Sequence, residues 1–149
     1  VKFNIVGDLK SLPKATVDGL SNGIKLTNSN TGLNLCLAIN YGSRQEIIET
    51  VQTIAKKVLS KKLSISEINE KLISDLLYTS GIPDPDLLIR TSGEYRLSNF
   101  LLWQSAYTEI YMTETFWPVF REEELLNAIY NFQLRERRFG KVSSQIKNQ

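Results

Sequence analysis

No histidine occurs among the 149 residues. Within this chain that excludes Ser-His-Asp triads, His general bases and His-ligated metals. A single cysteine, Cys36, rules out an internal disulfide, and a reducing compartment is the natural expectation. No apolar run approaches the roughly 20 residues of a membrane-spanning helix. Neither sign of charge dominates: 18 Lys and Arg stand against 16 Asp and Glu, for a net charge of +2. So small an excess argues against general nucleic-acid binding through a basic surface. Prolines number four and glycines eight, and hydrophobic residues make up 42% of the chain, too many for a disordered segment.

The residues that are present alternate between strand-like and helix-like stretches. Val1 to Val6 reads as a largely buried strand ended by Gly7-Asp8, and no Met precedes it. Ser11-Leu12-Pro13 opens a helical stripe of Leu12, Val17, Leu20, Ile24 and Leu26. After the polar turn at 28–32, Leu33 to Ile39 reads as a fully buried parallel strand. Ser43 is the expected N-cap of a helix carrying Ile47, Ile48, Val51, Ile54, Ala55, Val58 and Leu59, with four lysines at its exposed end. Ser64 or Ser66 starts a shorter helix through Leu72, continued toward Leu77. Such alternation predicts an α/β fold, a mostly parallel central sheet flanked by helices, in one domain over 1–149 with a frayed tail at 143–149.

Chemistry concentrates between Asp86 and Glu109. The strand Asp86 to Arg90 runs into a Ser-Gly turn; a loop then carries Arg96, and Ser98 is placed to cap a helix starting at Asn99 or Phe100. The crevice beyond the carboxyl ends of parallel strands is where α/β sheets bind ligands. Two guanidinium groups, a hydroxyl and a helix N-terminus in that crevice favour an anion with many oxygens, such as a diphosphate. Taken singly, Arg90 could equally pair with Asp86 or Glu94, and Ser98 could simply be a cap. The apolar run 100–106 predicts a buried helix, and Tyr107 to Met112 a strand with Tyr107, Glu109 and Tyr111 on one face. A carboxylate there needs a partner, which is either an Arg or Lys or a divalent metal such as Mg²⁺. Glu122 to Glu124 begin the last helix and Arg135, Arg137 and Arg138 end it, with Gly140 at C′.

The run Asp86-Leu87-Leu88-Ile89-Arg90-Thr91-Ser92-Gly93-Glu94, followed by Arg96-Leu97-Ser98-Asn99-Phe100-Leu101-Leu102-Trp103-Gln104, closely resembles the signature of the cis-prenyltransferases, nearest to the bacterial undecaprenyl diphosphate synthases. The resemblance continues through Tyr107, Glu109, Trp117-Pro118 and Arg135 to Gly140, and more weakly at Gly7-Asp8 and at Asn40 to Arg44. It implies a cis-prenyltransferase fold and Mg²⁺-dependent condensation of isopentenyl diphosphate onto an allylic diphosphate, with farnesyl diphosphate the expected primer. The allylic diphosphate loses pyrophosphate, the isopentenyl double bond attacks the allylic carbon, and a proton leaves to give a new cis double bond. An undecaprenyl-type product would serve as a lipid-carrier precursor in cell-wall synthesis.

Carried over residue by residue, the resemblance makes Arg90, Arg96 and Ser98 the holders of the isopentenyl diphosphate, with Arg90, Arg96 and Glu109 as the catalytic set. Glu109 is the Mg²⁺ carboxylate. Arg138 and Gly140 form an element that reaches a partner's substrate phosphate across a homodimer, and Asp86, Glu94 and Asn99 are supporting residues. Cytoplasmic location follows, with no nucleic acid and peripheral membrane contact through the lipid product. Cys36 and Ser43 depart from the family's common residues. The family's opening Asp-Gly-Asn-Gly-Arg-Trp segment has no counterpart here, so the chain is expected to be the C-terminal portion of the domain, incomplete at its N-terminus and inactive alone. The alternative is a non-catalytic diphosphate-binding subunit of the same fold.

Overall fold

The structure, a computed structural model, describes residues 1–136. Arg137, Arg138, Gly140 and the tail at 143–149 lie outside the described residues. Backbone contacts divide the chain into two units, Val1–Pro83 with Asn99–Leu101, and Asp84–Ser98 with Leu102–Gln149.

In the first unit, β1 (Lys2–Val6) and β2 (Asn34–Ala38) form a parallel ladder, from Lys2 opposite Asn34 to Val6 opposite Ala38. Parallel neighbours need a crossover, which α1 (Lys14–Thr27) supplies. Pro13 stands at its N-cap position, one residue outside the helix, where the missing N–H costs nothing. At the other end the Thr27 hydroxyl accepts from Phe3 N at 3.0 Å and donates to Gly23 O at 2.8 Å, fixing the helix to β1. β2 forms as expected but is not buried: Leu35 and Leu37 are 44% and 40% exposed. Within this unit α1 lies on β1, and no helix covers β2 comparably.

Helix α2 (Ser43–Leu59) begins where periodicity places it, yet Ser43 is not its cap. Gly42 occupies that position and has no side chain to offer. The first two amides are satisfied from far along the chain: Ser43 N donates to Asn99 O and Arg44 N to Asn99 Oδ1, each at 2.9 Å. A Cβ on residue 42 would stand 3.0 Å from Asn99 Nδ2, so glycine gives this amide room to dock. Asn99 itself has φ 63°, a left-handed conformation that asparagine tolerates. Loss of an N-cap side chain costs about 1 kcal/mol. Asn99→Ala should therefore lower the free energy of chemical unfolding by about that amount, read from the denaturant midpoint at unchanged slope.

The core of this unit is Val6, Ile54 and Leu77 together with three buried polar residues, Ser43, Glu46 and Thr50. Glu46 is 1% exposed; its carboxylate accepts from Tyr41 OH and from Tyr78 N, both at 2.6 Å. The Tyr78 phenol donates to Glu49 at 2.6 Å, and burial followed by that bond pushes it well above its usual range. Burial likewise raises the Cys36 thiol above its usual range. The single short helix expected from Ser64 or Ser66 is split. A 3₁₀ turn at Ile65–Glu67 is closed by a Ser64–Glu67 capping box, and α3 (Glu70–Leu76) has its own cap, Asn69 Oδ1 accepting from Leu72 N at 2.9 Å.

The second unit holds β3 (Leu87–Arg90) and β4 (Glu109–Met112), again parallel, with Leu87 opposite Glu109 and Arg90 opposite Met112. A 3₁₀ turn at Trp117–Val119 leads to α4 (Glu122–Gln133), which packs on β4 and buries Ala128 completely. Three expectations fail here. No helix follows Ser98: residues 98–107 form a run of turns and bends, with φ 50° at Ser98 and 47° at Leu101. Left-handed backbone at those positions is incompatible with a right-handed helix. Strand β4 starts at Glu109 and leaves Tyr107 66% exposed outside it. Helix α4 stops at Gln133, so Arg135 lies past its end rather than in its last turn.

Candidate functional site

Arg90 ends β3, and the segment after it is bound to the segment after β4. Thr113 N donates to Arg90 O at 2.9 Å, Gly93 N to Thr113 O and Ser92 N to Thr115 O, both at 3.0 Å. The chain turns on Gly93 at φ 65°, and a Cβ there would collide with the Glu114 carboxylate. The left-handed backbone there favours glycine, whose lack of a Cβ also leaves room for the Glu114 carboxylate. Tyr95 OH donates to the same carboxylate at 3.0 Å, a bond that raises the phenol above its usual range. These contacts fix the loop on which Arg96 and Ser98 are carried.

The guanidinium of Arg90 is left with little to bind. Its Nη2 donates to Ser98 Oγ at 3.4 Å, a long contact, and its Nε is buried with no hydrogen-bond partner. No carboxylate lies within ion-pair distance of it among the described residues. The ordinary pairing open from the sequence, with Asp86 or Glu94, is therefore not made. Glu94 instead pairs with Arg96 at 2.5 Å, where the Arg96 side chain is 68% exposed. An exposed pair of this kind holds little free energy and yields readily to a stronger anion. Asp86 is an exposed residue, and its carbonyl accepts from Glu109 N at 3.1 Å, fixing the start of β4.

Glu109 sits apart from Arg90. The register puts it at the amino end of β4 while Arg90 closes the carboxyl end of β3, three residue steps away or roughly 10 Å along the strands. Its Oε2 pairs with Arg135 Nη1 at 2.9 Å, and both side chains are about 70% covered. Of the two partners the sequence leaves open, cation or metal, the structure supplies the cation. Among the described residues no group of three Asp, Glu, Cys or His converges as a metal cage. Asn99, expected beside the anion site, belongs with the first unit and caps α2. Nothing in the sequence assigns Arg135 to Glu109, Glu114 to Tyr95 or Glu46 to Tyr78, which lie 26, 19 and 32 positions apart, whereas Asn131 stands at the i, i+4 spacing from Arg135, a signal that could have found it.

A guanidinium without a counter-charge, a hydroxyl beside it and a second arginine on the loop after β3 are chemistry suited to an anion. A family model described as "Putative undecaprenyl diphosphate synthase" matches residues 1–140. The chain belongs to that family. It is 52% identical over 145 residues to an isoprenyl transferase of Geobacillus kaustophilus, covering 97% of this chain and 56% of that protein. Identity to an isoprenyl transferase of Geobacter sulfurreducens is 47% over 146 residues, 98% of this chain and 59% of the relative. The crystal structure of lavandulyl diphosphate synthase from Lavandula x intermedia, solved in complex with dimethylallyl diphosphate, superposes with a TM-score of 0.91 at 40% identity, over 94% of this chain and 60% of that one.

The chain thus spans a little under three fifths of the length of the curated relatives it matches. As a member of the undecaprenyl diphosphate synthase family it has the expected α/β architecture with parallel strands. Among the described residues no helix is long and apolar enough to cross a membrane.

Proposed function

We propose that the intact protein carrying this chain is a cis-prenyltransferase and that the chain supplies the half-site for isopentenyl diphosphate. The observation that carries this reading is the buried, unpartnered Nε of Arg90 next to Ser98 Oγ. A buried polar group without a partner costs free energy and finds its explanation in a ligand. Arg90 and Ser98 bind the diphosphate, and Arg96 exchanges Glu94 for a phosphate oxygen. Together they neutralise and orient the isopentenyl substrate so that its double bond faces the allylic carbon. Each charge-assisted bond contributes about 1.5–3 kcal/mol.

Mg²⁺ does not fit the donor set that the described residues offer. It binds through one or two carboxylates plus substrate phosphates, whereas Glu109 is paired with Arg135 and, three register steps from Arg90, stands on the opposite face of the β3–β4 ladder from the anion-binding side chains. No step is therefore assigned to the ion through Glu109. The finer parts of the reading are farnesyl diphosphate as primer, an undecaprenyl-type product serving cell-wall synthesis, a homodimer completed by Arg138 and Gly140, and a cytoplasmic protein touching the membrane through its product.

Incubating the intact protein with isopentenyl diphosphate, farnesyl diphosphate and Mg²⁺ should give long-chain polyprenyl diphosphate on chromatography. Binding of isopentenyl diphosphate with no product from any allylic primer would make it a diphosphate-binding subunit instead.

A further inference from the structure

Three of the four residues from Ser98 to Leu101 are left-handed: φ is 50° at Ser98, 63° at Asn99 and 47° at Leu101. Asparagine tolerates that region; serine and leucine enter it at a cost, so something must hold them there. What holds them lies at the amino end of α2. Asn99 accepts from Ser43 N through its carbonyl and from Arg44 N through Oδ1, each at 2.9 Å. Phe100 meets the Tyr41 ring edge-on, with centroids 5.7 Å apart. Strained backbone that neighbouring contacts over-determine is found where a side chain has to be aimed. The side chain aimed here is that of Ser98, the residue directly before Asn99, whose Oγ stands 3.4 Å from Arg90 Nη2.

From this geometry we infer that Asn99, clamped on the amino end of α2, is a positioning residue for Ser98 in the binding of isopentenyl diphosphate. The inference rests on the proposed reading of Arg90 and Ser98 as holders of that diphosphate. Two consecutive amides grip Asn99 by its carbonyl and its side chain at once, which leaves it little freedom to rotate. Ser98 inherits the constraint. Released, it would relax out of the left-handed region, and its Oγ would leave its place beside Arg90. The contact to Arg90 is too long to hold the hydroxyl by itself, so the clamp and not the guanidinium sets its position. Asn99 touches no substrate in this scheme; its effect passes through Ser98.

The test is a double-mutant cycle in the intact protein with Asn99→Ala, Ser98→Ala and both together, read by titration calorimetry with isopentenyl diphosphate and by urea denaturation. Ser98→Ala should weaken binding about 10- to 100-fold, the worth of one hydrogen bond to a charged group. Asn99→Ala should weaken it about tenfold, and by no more than Ser98→Ala does. Joined to Ser98→Ala, it should cost no more than about a further twofold, because its route of action is already gone. Asn69→Ala is the control: it removes a cap of the same chemistry from α3, where Oδ1 accepts from Leu72 N at 2.9 Å, and should lower stability to a similar degree with unchanged affinity. Asn99→Gly keeps the left-handed backbone and the carbonyl bond and loses only the side-chain bond. Its affinity should fall between parent and Asn99→Ala, and it keeps the test decisive if Asn99→Ala does not fold. Independent, multiplicative losses would overturn the inference and give Asn99 a route of its own to the ligand. Equal losses of affinity in Asn99→Ala and Asn69→Ala would overturn it too, leaving Asn99 a cap and nothing more. A parent protein that binds no isopentenyl diphosphate would remove the functional reading and this inference together. A parent that binds it, with affinity unchanged in Asn99→Ala, would remove this inference alone.

Discussion

Arg90→Ala is expected to weaken isopentenyl diphosphate binding by the intact protein about 10- to 100-fold while leaving the ligand-free fold as stable as before. The size follows from one lost guanidinium–phosphate interaction at about 1.5–3 kcal/mol. The unchanged stability follows from what Arg90 does without ligand. It has a 3.4 Å contact to Ser98, no carboxylate partner among the described residues, and a buried Nε bonded to nothing. Deleting such a group removes a desolvation cost and almost no attraction. Arg90→Lys restores charge but not the planar fork, so its affinity should lie between the two. Calorimetric titration and melting without ligand check both halves. A variant that melts well below the parent yet binds normally would assign Arg90 to the fold rather than to the anion.

The second large effect has the opposite signature. Glu46→Ala should destabilise the protein by about 3 kcal/mol, because it strands the Tyr41 hydroxyl and the Tyr78 amide in a region where Glu46 itself is 1% exposed. A buried carboxylate is tolerable here since it accepts two short bonds and stands in the first turn of α2, where the helix dipole favours negative charge. Glu46→Gln keeps an acceptor for one donor and should cost about half as much. Urea denaturation measures both. A Glu46→Ala midpoint equal to the parent's would show that the two tyrosines find other acceptors at no cost.

Where the chain announces its own local structure, the sequence is a good guide. Leu87 to Arg90 and Lys2 to Val6 are apolar runs ended by turn residues, and both form parallel strands. The pairing of Arg90 with Ser98 across the Ser92-Gly93 turn was legible for the same reason, since both residues and the turn lie within nine positions. The run Phe100 to Ala106 misled twice: left-handed residues at 98, 99 and 101 forbid the helix, and the run is not buried as a whole, since Phe100 and Leu102 are exposed and its one buried residue is the polar Gln104. The capping of α2 was illegible because local pattern favours Ser43, whereas the acceptors come from Asn99. Glu109 needed a partner on electrostatic grounds, yet nothing local could single out Arg135, 26 residues on.

The distance from Arg44 to the amide that caps its helix, 55 residues, also sets an order of events. A chain leaving the ribosome exposes α2 long before Asn99, so the helix must wait with its first amides bonded to water. Contacts of such span are slow to form, since the intervening loop must close before the bond rewards it. Folding of the first unit is therefore completed by a segment lying beyond all of β3, and a nascent chain halted before Asn99 should hold α2 frayed at its amino end. Protection of the Ser43 and Arg44 amides from hydrogen exchange would mark the moment when residues 99–101 arrive.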